Sequence, residues 1–297
     1  MAQKAYTHIK LELMKHAIKY CGLMGVGLIV ILGTALYWKT YFIARPAGIT
    51  NDTDIEDSNQ ALPTQEVLDN ASSPGQTSNQ IVYYPEGATG YAISYPQCGG
   101  NYPSAPYDFG ILGITKGHSL SPNPCLKSEL EWAHSAKYPP SYYINLDFPS
   151  YIPKSLQASF GCLSDDQKCI AYHYGTYIAK YAHAYGLSQG AAPGNWWLDV
   201  QIISRWSLKP EINAQAVLGA IDYFKSQQLP VGLSTTPYQW NKVVGNLVTS
   251  LPVWIPGRAN KQVAAQYCLS GKSYSGGHVQ QLAYIENNFE AVYACSN

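Results

Sequence analysis

The stretch GAIDYFKSQQLPVGLSTTPYQW, residues 219–240, changes its periodicity part-way along. With Val217 just upstream, Ala220, Ile221 and Phe224 recur at the three- and four-residue spacing of one helix face. Leu229-Pro230 ends that pattern. Val231–Thr235 follows as a short apolar run between turn residues, which reads as a buried strand. A helix that delivers the chain straight into a buried strand is half of a βαβ unit.

The same alternation repeats outward in both directions. The strands it predicts are Gly90–Ser94, Phe109–Thr115, Tyr142–Asp147, Trp196–Gln201, Val231–Thr235, Val253–Pro256, Val279–Tyr284 and Phe289–Val292. The helices it predicts are Leu126–Lys137, Asp165–Tyr185 and one that follows Pro210. Asp165–Tyr185 is the best marked: Ile170, Tyr174, Tyr177, Ile178, Tyr181 and Tyr185 share a face, Ser164 with Gln167 has the capping-box pattern, and Gly186 suits a stop. Eight strands alternating with helices predict an α/β fold, an irregular (β/α)8-type TIM barrel of parallel strands over residues 81–297.

Composition narrows the partners. The 297 residues include 25 Tyr, 7 Trp and 25 Gly but only 13% charged side chains, and the formal net charge is zero. No electrostatic footprint for nucleic acid exists, so that class is excluded. An aromatic, turn-rich and weakly charged chain suits an exported protein facing sugars.

Residues 1–19 carry Lys4, Lys10, Lys15 and Lys19 against Glu12, a net of +3. Residues 20–38, YCGLMGVGLIVILGTALYW, hold no charge and nearly span a ~30 Å hydrocarbon core as a helix. Tyr20, Tyr37 and Trp38 stand at the ends as interfacial aromatics. Residues 39–80 carry two basic and six acidic side chains, a net of −4. Basic flanks stay in the cytoplasm. The expectation is a single-pass membrane protein with a cytoplasmic basic tail (1–19), a transmembrane helix (20–38), a flexible linker (39–80) too polar to fold alone, and an extracytoplasmic domain (81–297). A cleaved signal peptide is the competing reading of residues 1–38.

Cys21 lies in the predicted span, leaving Cys98, Cys125, Cys162, Cys169, Cys268 and Cys295 outside. An even number in an oxidising compartment implies disulfides, and six cysteines allow fifteen pairings. Nearest neighbours would join 98 to 125, 162 to 169 and 268 to 295. No C-x-x-C occurs and the histidines are scattered, so neither a metal site nor a cofactor is expected.

In a parallel barrel, chemistry sits at the carboxyl ends of the strands. Asp147 closes YYINLD, Asp199 lies in WWLDVQ, and Glu290 lies in the last short strand, with Glu286 just before it. Paired carboxylates serve glycoside hydrolysis, one neutral and one ionised. A carboxylate in such a place equally serves to cap a loop or pair with Arg. Trp196, Trp197, Trp206, Tyr238, Trp240 and Trp254 fall at or beyond strand ends, where flat rings can stack on sugars; each alone is more often core, and together they favour a carbohydrate cleft.

GYAIS, FGILGITKG, WWLDVQ, the stretch quoted first, PVWIPG and NFEAVYAC together make Gly90–Cys295 resemble the glycoside hydrolase family 25 lysozymes and their secreted relatives. The resemblance implies an irregular (β/α) barrel and a peptidoglycan or related polysaccharide partner. It also implies an aspartate where this chain has Ala92, and D-x-E where it reads Asp199-Val200-Gln201. Gln201 stands at the place of the expected general acid and has no titratable proton. Of the family's acids, Asp199 matches and Glu290 replaces an aspartate. Three functions follow: a glycan-binding domain with weakened or lost hydrolysis, an active muramidase-like glycosidase pairing Asp199 with Asp147 or Glu290, and a non-catalytic structural or interaction domain.

Overall fold

The structure is a computed structural model that describes residues 84–271 and 273–295. The predicted tail, span and linker (1–19, 20–38, 39–80) lie outside the described residues. Among the described residues no helix is long and apolar enough to cross a membrane.

All eight predicted strands form: β1 Thr89–Ile93, β2 Phe109–Gly113, β3 Ser141–Asn145, β4 Trp196–Asp199, β5 Val231–Ser234, β6 Val253–Arg258, β7 Val279–Glu286 and β8 Phe289–Ala294. They close into a barrel in sequence order. β1 to β7 are parallel, as expected, but β8 is antiparallel to both β7 and β1. The reason is local. Only Asn287 and Asn288 separate β7 from β8, and both adopt positive φ (49° and 66°). A two-residue turn of that kind makes a hairpin and leaves no length for a crossover helix.

Among the described residues six α-helices surround the sheet: α1 Leu126–Ala133, α2 Lys154–Ser159, α3 Gln167–Ser188, α4 Pro210–Ser226, α5 Pro237–Val244 and α6 Lys261–Ser270. α3 departs from expectation at both ends. Its N-cap is Asp166, whose carboxylate accepts from the Cys169 amide at 3.0 Å, and not Ser164. The helix runs on through Gly186, which is buried against Trp196 and Ile114, to Ser188. The three disulfides join nearest neighbours: Cys98–Cys125, Cys162–Cys169 and Cys268–Cys295.

Strand alternation divides the core in two. Leu112, Ile144, Leu198, Leu233 and Ile255 face the helices. Ala92, Phe109, Ile111, Trp197, Trp254, Ala283 and Val292 fill the barrel interior. Tyr84 closes the bottom, stacked on Phe109 at 3.8 Å, with its hydroxyl donating to the Pro139 carbonyl.

Candidate functional site

The inward faces turn polar at the top of the barrel. Register aligns Asn145, Asp199 and Ser234 as lateral neighbours on β3, β4 and β5. Each stands one inward step above the Tyr143 and Trp197 layer. Glu290 enters this ring from β8, paired with Ala92 on β1. Because β8 runs downward, its first residues lie at the mouth, which brings a carboxylate there from the chain's end.

Asp199 is 5% exposed. Its Oδ2 accepts from Asn145 Nδ2 at 2.8 Å and from Gln201 Nε2 at 2.6 Å. The Asn145 amide has one possible orientation, since its Oδ1 accepts from Thr115 Oγ1 (2.9 Å) and the Gly117 amide (3.1 Å). Burial, and then the negative charge of Glu290, push the Asp199 carboxyl up to about 7 against the lowering effect of the amides and Ser234. The neutral form of Asp199 is therefore populated well above the pH range of an ordinary carboxyl.

Asp147 does not join this ring. β3 ends at Asn145, two residues earlier than predicted, so Asn145 and not Asp147 faces Asp199. Asp147 Oδ2 accepts Arg205 Nη2 and Nε at 2.6 and 3.0 Å, while its Oδ1 accepts Ser119 Oγ at 2.6 Å and Tyr174 Oη at 3.3 Å. A carboxylate with every lone pair engaged is a structural anchor for the loops after β2 and β4. Arg205→Met is expected to cost about 2 kcal/mol. That is less than the ~3–5 kcal/mol of a fully buried pair, because the arginine side chain is 55% exposed. Urea unfolding of the variant beside Asp147→Asn and the double variant measures the coupling.

The tryptophans divide as well. Trp197 and Trp254 are buried inside the barrel, edge to face at 6.0 Å. Trp240 is buried beneath α5, its Nε1 donating to the Leu247 carbonyl, and Trp196 packs on Phe224 among the outer helices. These four rings are core and offer no face to a sugar, because each strand-end ring follows the alternation into a packed layer. Trp206 is half-buried against the outer core, and Tyr238 is exposed. Trp206 Nε1 donates to the Gln201 carbonyl at 2.8 Å, and Gln239, next to Tyr238, accepts from the Ile202 amide at 2.9 Å. Trp206 thus flanks the loop that follows Asp199, and Tyr238 lies on the helix whose Gln239 holds that loop.

The barrel is similar to family 25 lysozymes. A bacterial lysozyme from Streptomyces coelicolor superposes with a TM-score of 0.47 at 14% identity, covering 71% of this chain and 93% of that one. A family 25 glycosyl hydrolase from Bacillus anthracis gives 0.45 at 12%, covering 74% and 95%. The modular Cpl-1 endolysin, complexed with a peptidoglycan analogue, gives 0.45 at 14%, and this chain covers only 55% of its length. No family model and no curated protein matches the chain.

Sequence reasoning missed Asn145, Thr115 and Ser234. Each stands at the end of an apolar run as the acids do, but as an amide or hydroxyl. Among the described residues, one histidine–cysteine cluster has the spacing of a metal site, Cys162, Cys169 and His173. Its two sulfurs are joined to each other, which removes the thiolates a metal needs.

Proposed function

We propose that the barrel binds cell-wall peptidoglycan or a related glycan at its mouth, with hydrolysis weakened or lost, while residues 20–38 hold it on the outer side of a membrane. The observation that carries this reading is the contact between Gln201 and Asp199. The side chain at the expected acid position is an amide that donates to the neighbouring carboxylate, and an amide cannot protonate a leaving oxygen. What remains is a buried ring of hydrogen-bonding groups at the carboxyl ends of the barrel strands, of a kind that matches hydroxyls and acetamides. Trp206 and Tyr238 supply apolar faces beside it.

A second reading, an active glycosidase pairing Asp199 with Glu290, draws support from the raised Asp199 carboxyl. A neutral acid near an ionised one is the electrostatic pattern of glycoside hydrolysis. The engagement of Asp199 Oδ2 by two amides speaks against its use as a proton donor. A third reading, a structural or interaction domain, draws on the burial of the four tryptophans.

Gln201→Glu separates these readings. General acid catalysis contributes ~10²–10⁴-fold. A binder that lacks only its acid is expected to gain product release from peptidoglycan of at least ~10²-fold over the parent protein. A glycosidase already using Asp199 would lose activity, and a structural domain would change in neither direction.

A further inference from the structure

A cavity of about 590 Å³ opens on the outer rim of the barrel beside β1 and the β7–β8 hairpin. Its volume lies within the ~300–1,000 Å³ of small-molecule sites. Tyr91, Tyr102 and Phe289 supply aromatic walls, and Asn101, Ser104 and Asn287 supply amides and a hydroxyl. This cavity is not the mouth. Tyr91 alternates with the inward-facing Ala92 on β1 and points outward, so the barrel wall stands between it and the Asp199 ring.

The walls are tied to their surroundings by hydrogen bonds and ring contacts. Tyr91 Oη donates to Glu286 Oε2 at 2.9 Å, and its ring meets Phe289 and Tyr107 edge to face, each at 6.2 Å. Tyr102 Oη is 2.9 Å from Ser128 Oγ on α1. The loop bearing residues 99–104 is tied at its root by Cys98–Cys125 and at Pro103, whose carbonyl accepts Trp132 Nε1 at 3.0 Å. On the opposite side the hairpin turn holds Asn287 at positive φ. Rings held by such contacts lose little entropy on binding, which favours affinity from few contacts.

We infer that this rim cavity is a second carbohydrate site, one that takes a neutral, N-acetylated pyranose ring against its aromatic walls with its hydroxyls and acetamide on Asn101, Ser104 and Asn287. Aromatic faces accept the C–H side of a sugar, while uncharged amides and hydroxyls match its polar edge in both donor and acceptor roles. A basic phosphate-type ligand set is absent from the lining residues, and Glu286, which accepts from Tyr91 Oη, disfavours anions. The site stands on its own geometry, independently of the reading of the mouth.

The test is calorimetric titration of the full-length protein in detergent with tetra-N-acetylchitotetraose. Ser104→Trp fills the cavity from an exposed position, and Tyr102→Ala removes one wall. The expected result is loss of one binding equivalent in Ser104→Trp and about tenfold weaker binding at that site in Tyr102→Ala, with unchanged melting temperature. A parent protein with two equivalents reduced to one, or with one equivalent reduced to none, supports the rim site, and the latter outcome removes the mouth as a binding site for this sugar. Binding untouched by both substitutions overturns the rim site and leaves the mouth reading standing. No binding by the parent protein overturns the rim site and leaves the mouth reading to the peptidoglycan retention that tests it.

Discussion

Asp199→Asn is expected to stabilise the barrel by up to about 4 kcal/mol at pH 8 and to leave it nearly unchanged near pH 3. The sign follows from linkage. In the unfolded chain this carboxyl titrates in the ordinary range near ~4, whereas in the fold burial and Glu290 raise it to about 7. Between those values the native state binds more protons than the unfolded state, so stability falls as pH rises. The favourable effect of the neutral carboxyl is complete below ~4 and is lost as pH passes through about 7. Three pH decades at ~1.36 kcal/mol each set the upper limit, and the two amide donors that lose an ionised acceptor reduce it. Melting curves from pH 3 to pH 8 are expected to show a parent protein whose melting temperature declines toward neutrality and a variant whose curve is flat by comparison. A residue that destabilises its own fold at neutral pH fits retention for recognition or chemistry rather than for packing. Equal slopes in the two proteins would mean that Asp199 is not held in the state described above.

Gly175→Ala and Gly219→Ala are each expected to cost about 3 kcal/mol or more. α3 and α4 cross with backbone almost touching backbone. A Cβ on Gly175 would lie 1.8 Å from the Ala216 carbonyl oxygen, and one on Gly219 would lie 1.9 Å from the Tyr172 carbonyl oxygen. Neither obstacle is a flexible side chain, so the helices must separate, which is the severe form of overpacking. In an ordinary solvent-facing helix the same exchange would stabilise by up to ~1 kcal/mol. Chemical denaturation reads the sign directly, because helix propensity and close packing predict opposite changes.

These residues also mark what the sequence could disclose. Eight strands were legible because each is a short apolar run between turn residues, and the barrel followed from their number. The antiparallel last strand was visible only as the short gap between the predicted strands ending at Tyr284 and starting at Phe289, too short for any crossover. Asp199 was legible because it closes WWLDVQ at a place the family resemblance marks. Asp147 looked equivalent, but periodicity does not reveal that β3 stops at Asn145, nor that Arg205, fifty-eight residues later, takes both contacts to Asp147 Oδ2. The tryptophans misled for a similar reason. A strand end places a ring near the mouth, but alternation decides whether it faces a sugar or a neighbour, and Trp197 and Trp254 face each other. The glycines of α3 and α4 carried no readable signal, since a helix crossing is set by partners distant in sequence.

The central claim is that the mouth recognises glycan through Asp199 and its amides without an acid to cleave it. Incubating the full-length protein with peptidoglycan and with chitin-type oligosaccharides, and following retention and soluble product together, tests that claim most directly. The account predicts retention by the parent protein, no product above the spontaneous rate, and weaker retention by Asp199→Asn. Product released by the parent protein and abolished in Asp199→Asn would contradict it, since Asp199 would then be carrying out hydrolysis in spite of Gln201.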